Sequence, residues 1–256
     1  MPPFQMDSGK YTIHLTAIDM DNVSSETLLM PFWVGDQSTF VWEDALIYMV
    51  MTDRFVNGNA SNDPGPDSGA TPSADWKGGD FAGVTQMIES GYFEDRGINV
   101  LWLSPFNTAA NGTGTSGDGG HEVTGYHGYW PVEARGVDAR LGTPEELEEL
   151  VATAHAREIR VMFDFVANHV YEDHPYYTQN PEWFNQGCIC GEPGCDWTEE
   201  RLECQFTSYM PDLNWNGGIT ETKKLAALAE TYQTPITLHD FNGPVQVLGS
   251  AHVSLS

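Results

Sequence analysis

The apolar positions of the chain change period near residue 42. Before it, Tyr11-Thr12-Ile13-His14-Leu15-Thr16-Ala17 alternates as a strand does and runs into the turn-rich Asp19-Met20-Asp21-Asn22. A second run, Leu28-Leu29-Met30-Pro31-Phe32-Trp33-Val34, follows. So few strands bury no core alone. The pattern predicts the last hairpin of a β-sandwich over residues 1–40, or a strand pair packed on the next domain. After residue 42 the runs become continuous: Leu46–Met51, Ile98–Leu103 and Ile159–Val166 read as strands buried on both faces. Phe81–Asp95 is the expected helix between the first two. Between the second and third, Thr143-Pro144-Glu145-Glu146 is a capping box with Pro at the first helical position. Leu147, Leu150, Val151 and Ala154 then mark one helical face. Strand–helix–strand repetition means a parallel sheet.

Residues 171–215 lose this rhythm and hold all four cysteines, as an irregular insertion would. Beyond Gly217-Gly218 a second helix is expected, with Leu225, Leu228, Ala229 and Tyr232 on one face. It leads to a short strand, Pro235–Leu238, ending at His239-Asp240. Residues 57–75 and 107–121 are rich in Gly, Ser, Asn and Asp and read as long loops, where parallel barrels place their sites. The fold class is therefore α/β, with a parallel sheet and an irregular insertion after its third strand. The expected domains are 1–40, 41–170, 171–215 and 216–256.

Charge narrows the partners. Lys and Arg number 11 against 37 Asp and Glu, a net charge of −26 in 256 residues. This argues against nucleic acid and anionic membranes, which need basic residues. It suits calcium and neutral ligands. No apolar run approaches the ~18 residues of a membrane span. Met1-Pro2-Pro3-Phe4 opens no signal-peptide pattern. An apolar content of 40% supports a large core.

The strongest chemical signal is Asp164-Phe165-Val166-Ala167-Asn168-His169, polar residues gathered at the end of the third strand. Upstream, Gly125-Tyr126-His127-Gly128-Tyr129-Trp130 offers rings to stack on a flat ligand and a His to hydrogen-bond it. The spacing Asn57-x-Asn59-x-x-Asn62-Asp63 fits a calcium loop or a solvated turn. Cys188, Cys190, Cys195 and Cys204 permit two disulfides, one zinc site or free thiols. In each case they pin the insertion.

These motifs resemble the α-amylase family, family 13 of the glycoside hydrolases. The likeness runs from about Trp42 to Trp215. It includes Thr52-Asp53-Arg54-Phe55, Trp76-Lys77-Gly78-Gly79-Asp80, Leu101-Trp102-Leu103-Ser104-Pro105 and Met210-Pro211-Asp212-Leu213-Asn214. The resemblance implies an incomplete (β/α)8 barrel with an insertion after its third strand, an α-glucan substrate, starch-like or a maltooligosaccharide, and an extracellular or periplasmic parent. Tyr129 would stack under the sugar at the cleavage site, and His127 and His169 would hydrogen-bond it. Asp164 would organise the site, with Arg54 in support. Asn168 and Asp212 would bind calcium. A second calcium would take Asn57, Asn59, Asn62, Asp63, Gly78 and Asp80, as in cyclodextrin-forming relatives. No organic cofactor is implied.

The departures matter as much. Retaining glycosidases need two carboxylates, a nucleophile and an acid. In this family both follow later strands, and neither motif is found here, so the chain as given is expected to be inactive. Leu238-His239-Asp240 is not the family's late His-Asp motif, because the strands between are missing. Instead, residues from about 211 to 256 resemble the mandelate racemase and sugar-acid dehydratase branch of the enolase superfamily. There Asp212 and His239 would form a proton-transferring dyad. The sequence thus reads as a chimera joined at residues 211–215. The competing functions are a non-catalytic calcium- or glucan-binding module and a sugar-acid dehydratase or racemase fragment.

Overall fold

The computed structural model describes residues 9–34, 40, 42–116, 119–200, 203–214 and 236–239. Strands β1 (Gly9–Leu15) and β2 (Leu28–Val34) pair antiparallel, with Ile13 opposite Met30 and Leu15 opposite Leu28. These four side chains stay about half exposed rather than packed on the sheet that follows. β3 (Ile47–Val50) comes next, then a one-turn helix α1 (Thr52–Phe55) and α2 (Phe81–Glu89). α2 is shorter than expected. Ser90 caps it and Gly91 turns left-handed at φ 79°, so the chain leaves the helix before a 3-10 turn at Glu94–Arg96. β4 is Val100–Leu103. The segment read as a loop at 107–121 contributes β5 (Thr113–Thr115), which pairs with β6 (Glu122–Thr124). Then come α3 (Pro144–Ala156), β7 (Arg160–Val166), α4 (Pro175–Gln179) and β8 (Ile236–His239).

The central sheet is parallel in the order β3-β4-β7-β8. Val50, Leu103, Phe163 and Ile236 lie in one row. The tail strand thus supplies a fourth member where the pattern before residue 215 accounts for three. The sheet is open among the described residues. The helix expected after Gly217-Gly218, Trp215, and the His239-Asp240 terminus beyond His239 lie outside the described residues, as do the side chains of β8.

Local sequence explains the helices. Asp80 caps α2 by accepting from the Gly83 amide at 2.7 Å. Thr143 and Glu146 form the expected capping box, with reciprocal bonds of 3.2 and 2.8 Å. Phe81, Val84 and Ile88 of α2 and Leu147, Leu150 and Ala154 of α3 turn inward at i, i+3, i+7. They meet Val50, Leu101, Leu103, Val161 and Phe163 of the sheet in one core. A second cluster, Ala110, Trp130, Tyr171 and Met210, sits under the insertion. No helix among the described residues is long and apolar enough to cross a membrane.

Candidate functional site

Parallel strands end at a common edge, and side chains beyond their carboxyl ends converge there. Asp164 lies on β7 and is almost wholly buried. The Tyr129 hydroxyl donates to Asp164 Oδ2 at 2.6 Å. Burial, and next the bond and charge of Asp164, push the Tyr129 hydroxyl above its ordinary range. The turn bearing Tyr129 depends on Gly128, whose φ of 83° and contact with Pro105 leave no room for a side chain: a Cβ would meet the Pro105 carbonyl at 2.1 Å.

Both predicted histidines join this centre. His127 Nδ1 accepts from the Tyr129 amide at 3.0 Å, and the two rings stack at 5.6 Å and 25°. Burial lowers His127 to about 4, with the charges of His169 and Arg54 adding to the effect. The ring is therefore neutral at pH 7, with its proton on Nε2. His169 donates from Nε2 to the Tyr129 carbonyl at 2.9 Å. It also stacks in parallel on Phe206, at 5.7 Å and 10°. Arg54 lies at the edge of this group. Its Nε is 3.2 Å from Asp53 Oδ2 and its guanidinium covers the Tyr126 ring at 3.6 Å. Its Nη2 is buried with no hydrogen-bond partner among the described residues.

The two predicted calcium sites differ in how well they suit a cation. Asn168 and Asp212 are both buried, and residues 169 and 212 form an isolated antiparallel bridge. Burial pushes the Asp212 carboxyl up to about 7, against the lowering effect of the Phe206 amide at 3.2 Å and of Asn168. A buried carboxylate beside a buried amide side chain brings together two oxygen-bearing groups of the kind a hard cation takes. At the second site Asn57 donates to both oxygens of Asp63 at 2.8 Å. Gly78 closes over them at φ 80°, where a Cβ would meet Asp63 Oδ1 at 2.5 Å. The Asn62 Oδ1 acceptor is buried without a partner. These three oxygen-bearing residues and the Gly78 cradle fit a calcium ion. Asp80 and Asn59 fit it less well. Asp80 accepts from the amides of Gly58, Asn59 and Gly83, and Asn59 accepts from Ser61. Among the described residues, no group of three His, Cys, Asp or Glu side chains could hold a metal.

The cysteines form two disulfides, Cys188–Cys195 and Cys190–Cys204, so the zinc and free-thiol alternatives fall away. For the Asp212–His239 dyad, the backbone of His239 sits at the end of β8, level with Val166. The Asp212 carboxylate faces Phe206 and Asn168.

Sequence reasoning missed three supports. Asp53 is buried and accepts from the Lys77 and Gly78 amides at 2.9 and 3.1 Å, which fixes Gly78. Burial still raises its carboxyl above the ordinary value, against those bonds and the Arg54 and Lys77 charges. Arg140 pairs with Asp138 at 2.6 Å and covers Trp76 at 4.1 Å. Phe206 touches both His169 and Asp212. None of these carries a periodic or spacing signal; only the Thr52-Asp53-Arg54-Phe55 motif pointed toward Asp53.

Residues 49–201 match the family model described as "Alpha amylase, catalytic domain", and residues 203–256 match "Enolase C-terminal domain-like". The two matches adjoin near the 211–215 join read from the sequence. A cyclomaltodextrin glucanotransferase of Paenibacillus macerans is 31% identical over 191 residues, 70% of this chain and 26% of that protein. The periplasmic alpha-amylase of Escherichia coli (strain K12) is 40% identical over 136 residues, 51% of this chain and 20% of that one. The chain thus spans about a quarter or less of these relatives' length. Among solved structures, the gamma-CGTase of an alkalophilic Bacillus clarkii aligns over 79% of this chain and 32% of its own, with 26% identity and a TM-score of 0.64. The alpha-amylase of Geobacillus thermoleovorans, solved with acarbose, aligns over 78% and 41%, with 29% identity and a TM-score of 0.57. With its central segment matching that catalytic domain over more than half its length, the chain belongs to the α-amylase family.

Proposed function

We propose that this chain carries the sugar-binding half of an α-amylase-type site, for a starch-like α-glucan or maltooligosaccharide, and lacks the catalytic pair. The observation that carries this reading is the group formed by Asp164, Tyr129 and His169. A carboxylate, an aromatic face and an imidazole drawn together by hydrogen bonds among themselves suit a pyranose, which has an apolar face and a hydroxyl rim. His127, neutral at pH 7, adds an uncharged donor. Asp164 is the carboxylate that Tyr129 holds, whereas double-displacement hydrolysis uses two, about 5–5.5 Å apart, and neither family motif that carries the pair is found in the sequence. The parent activity, by likeness to amylases and glucanotransferases, is retaining hydrolysis or transglycosylation outside the cell or in the periplasm.

Calcium belongs to this proposal at Asn168 and Asp212, and at Asn57, Asn62, Asp63 and Gly78. When bound, the ion would supply the positive charge that Asp212 lacks and tie the insertion to the sheet. We assign residues 41–170 to the barrel portion, 171–215 to the disulfide-bearing insertion, 1–40 to a sandwich remnant and 216–256 to the enolase-like tail. The test is titration calorimetry of maltoheptaose into the purified chain. Saturable binding that Asp164→Ala removes, with no release of reducing sugar, is the expected result. Turnover of starch that Asp164→Ala abolishes would overturn the inactive reading, and absence of binding would overturn the sugar site.

A further inference from the structure

We infer that Phe206 is a positioning residue that couples the calcium carboxylate Asp212 to the sugar-binding histidine His169. This rests on the roles proposed for those two residues and goes beyond them. Residues 169 and 212 share a backbone bridge, and Phe206 adds a second link that reaches the two side chains by different parts of itself. Its amide donates to Asp212 Oδ1 at 3.2 Å, and its ring lies face to face on His169 at 5.7 Å and 10°.

Both the backbone beside Phe206 and its ring have further partners. Gln205 exchanges backbone bonds with the cystine turn, donating to the Cys188 carbonyl at 2.8 Å and accepting from the Cys190 amide at 2.9 Å. The Cys190–Cys204 disulfide closes that turn two residues before Phe206. The Gln205 side chain donates to the Asn185 carbonyl at 3.0 Å, and the Asn185 amide donates to the Asp212 carbonyl at 2.8 Å. Trp197 meets the Phe206 ring edge-on at 6.1 Å. On the far side, His169 is fixed by the Tyr129 carbonyl, and the Tyr129 hydroxyl reaches Asp164.

A cation that draws on Asp212 Oδ1 competes with the Phe206 amide for the same oxygen. The peptide responds, and the ring carries that response to the imidazole. Coupling of this kind is a free energy shared by both ligands, so it is measurable from either side. A side chain that only fills space would change stability without changing this coupling.

The experiment titrates maltoheptaose into the full chain with and without saturating calcium. We expect calcium to tighten binding about tenfold, within the usual range for coupled sites. Phe206→Leu, which keeps the bulk and loses the flat ring, should cut that factor below about twofold. Phe206→Tyr should retain it. Should Phe206→Leu fail to fold, the imidazole resonances of His169 in the unaltered chain give a second reading, because calcium must shift them. An unchanged factor in Phe206→Leu, or calcium-insensitive His169 resonances, would overturn the inference. Binding of both ligands without coupling would overturn it alone. No maltoheptaose binding by the unaltered chain would overturn the sugar-site reading as well.

Discussion

Tyr129 and Asp164 are 35 residues apart in the chain, and their side chains meet at 2.6 Å. One comes from a glycine-set turn and the other from a buried parallel strand, so the bond joins loop to sheet. Tyr129→Phe removes the donor from a buried carboxylate. Hydrogen bonds to charged groups contribute about 1.5–3 kcal/mol. The variant should lose roughly that much unfolding free energy in urea titrations and bind maltoheptaose more weakly.

His127 gives a pH dependence with a definite sign. Its folded value of about 4 lies below the ordinary 6.5, so the unfolded chain binds the extra proton between those values. Stability from this group is complete above pH 6.5 and declines as the pH falls toward 4, where the decline levels off. Urea midpoints measured from pH 7 to pH 4 should show that slope, and His127→Gln should flatten it. An unchanged slope in the variant would contradict the burial of a neutral ring.

Calcium should stabilise the chain by mass action. At a hundredfold excess over its dissociation constant the gain is about 2.7 kcal/mol. Scanning calorimetry with calcium and then with a chelator reads this as a reversible shift in Tm. Asp212→Asn should lose the part of the shift that belongs to the insertion, while Asp63→Asn should lose the part at the 57–78 loop.

The disulfides should matter to the insertion more than to the sheet. Cys190 and Cys204 close a loop of 14 residues, for which chain entropy predicts about 3 kcal/mol. Replacing both by Ser should lower the denaturation midpoint of the insertion, followed through Trp183 and Trp197 fluorescence. Leu150→Ala, in the sheet–helix core, should cost about 2–5 kcal/mol and lower the far-UV transition instead.

Features set by neighbours in sequence were legible. The Thr143–Glu146 capping box, the inward face of α3 and the buried strands β4 and β7 follow from caps and apolar period. The run at Leu46–Met51 misleads: β3 is an edge strand of the described sheet, with Val50 buried but Ile47 and Met49 exposed, so it is not covered on both faces. Asp164 and His169 were legible as a motif at a strand end, and His127 and Tyr129 as an aromatic cluster in a loop upstream. Features that depend on contacts between distant segments were not. Asp53 holds the Lys77–Gly78 turn across 24 residues, Arg140 covers Trp76, and Phe206 stacks on His169. Such pairings depend on register and loop path, which no local period encodes. The end of α2 at Gly91 was missed for another reason: apolar residues continue to Phe93, and they pack from a turn rather than from the helix. Likewise, β8 has too few residues for its pattern to reveal which strand it would join.

The most direct test of the central claim is a crystal structure of the chain grown with maltoheptaose and calcium. The account predicts a glucose ring stacked on Tyr129, hydrogen-bonded by His127 and His169, with a cation at Asn168 and Asp212. A glucan seated away from Tyr129, or no bound sugar at saturating concentration, would contradict it.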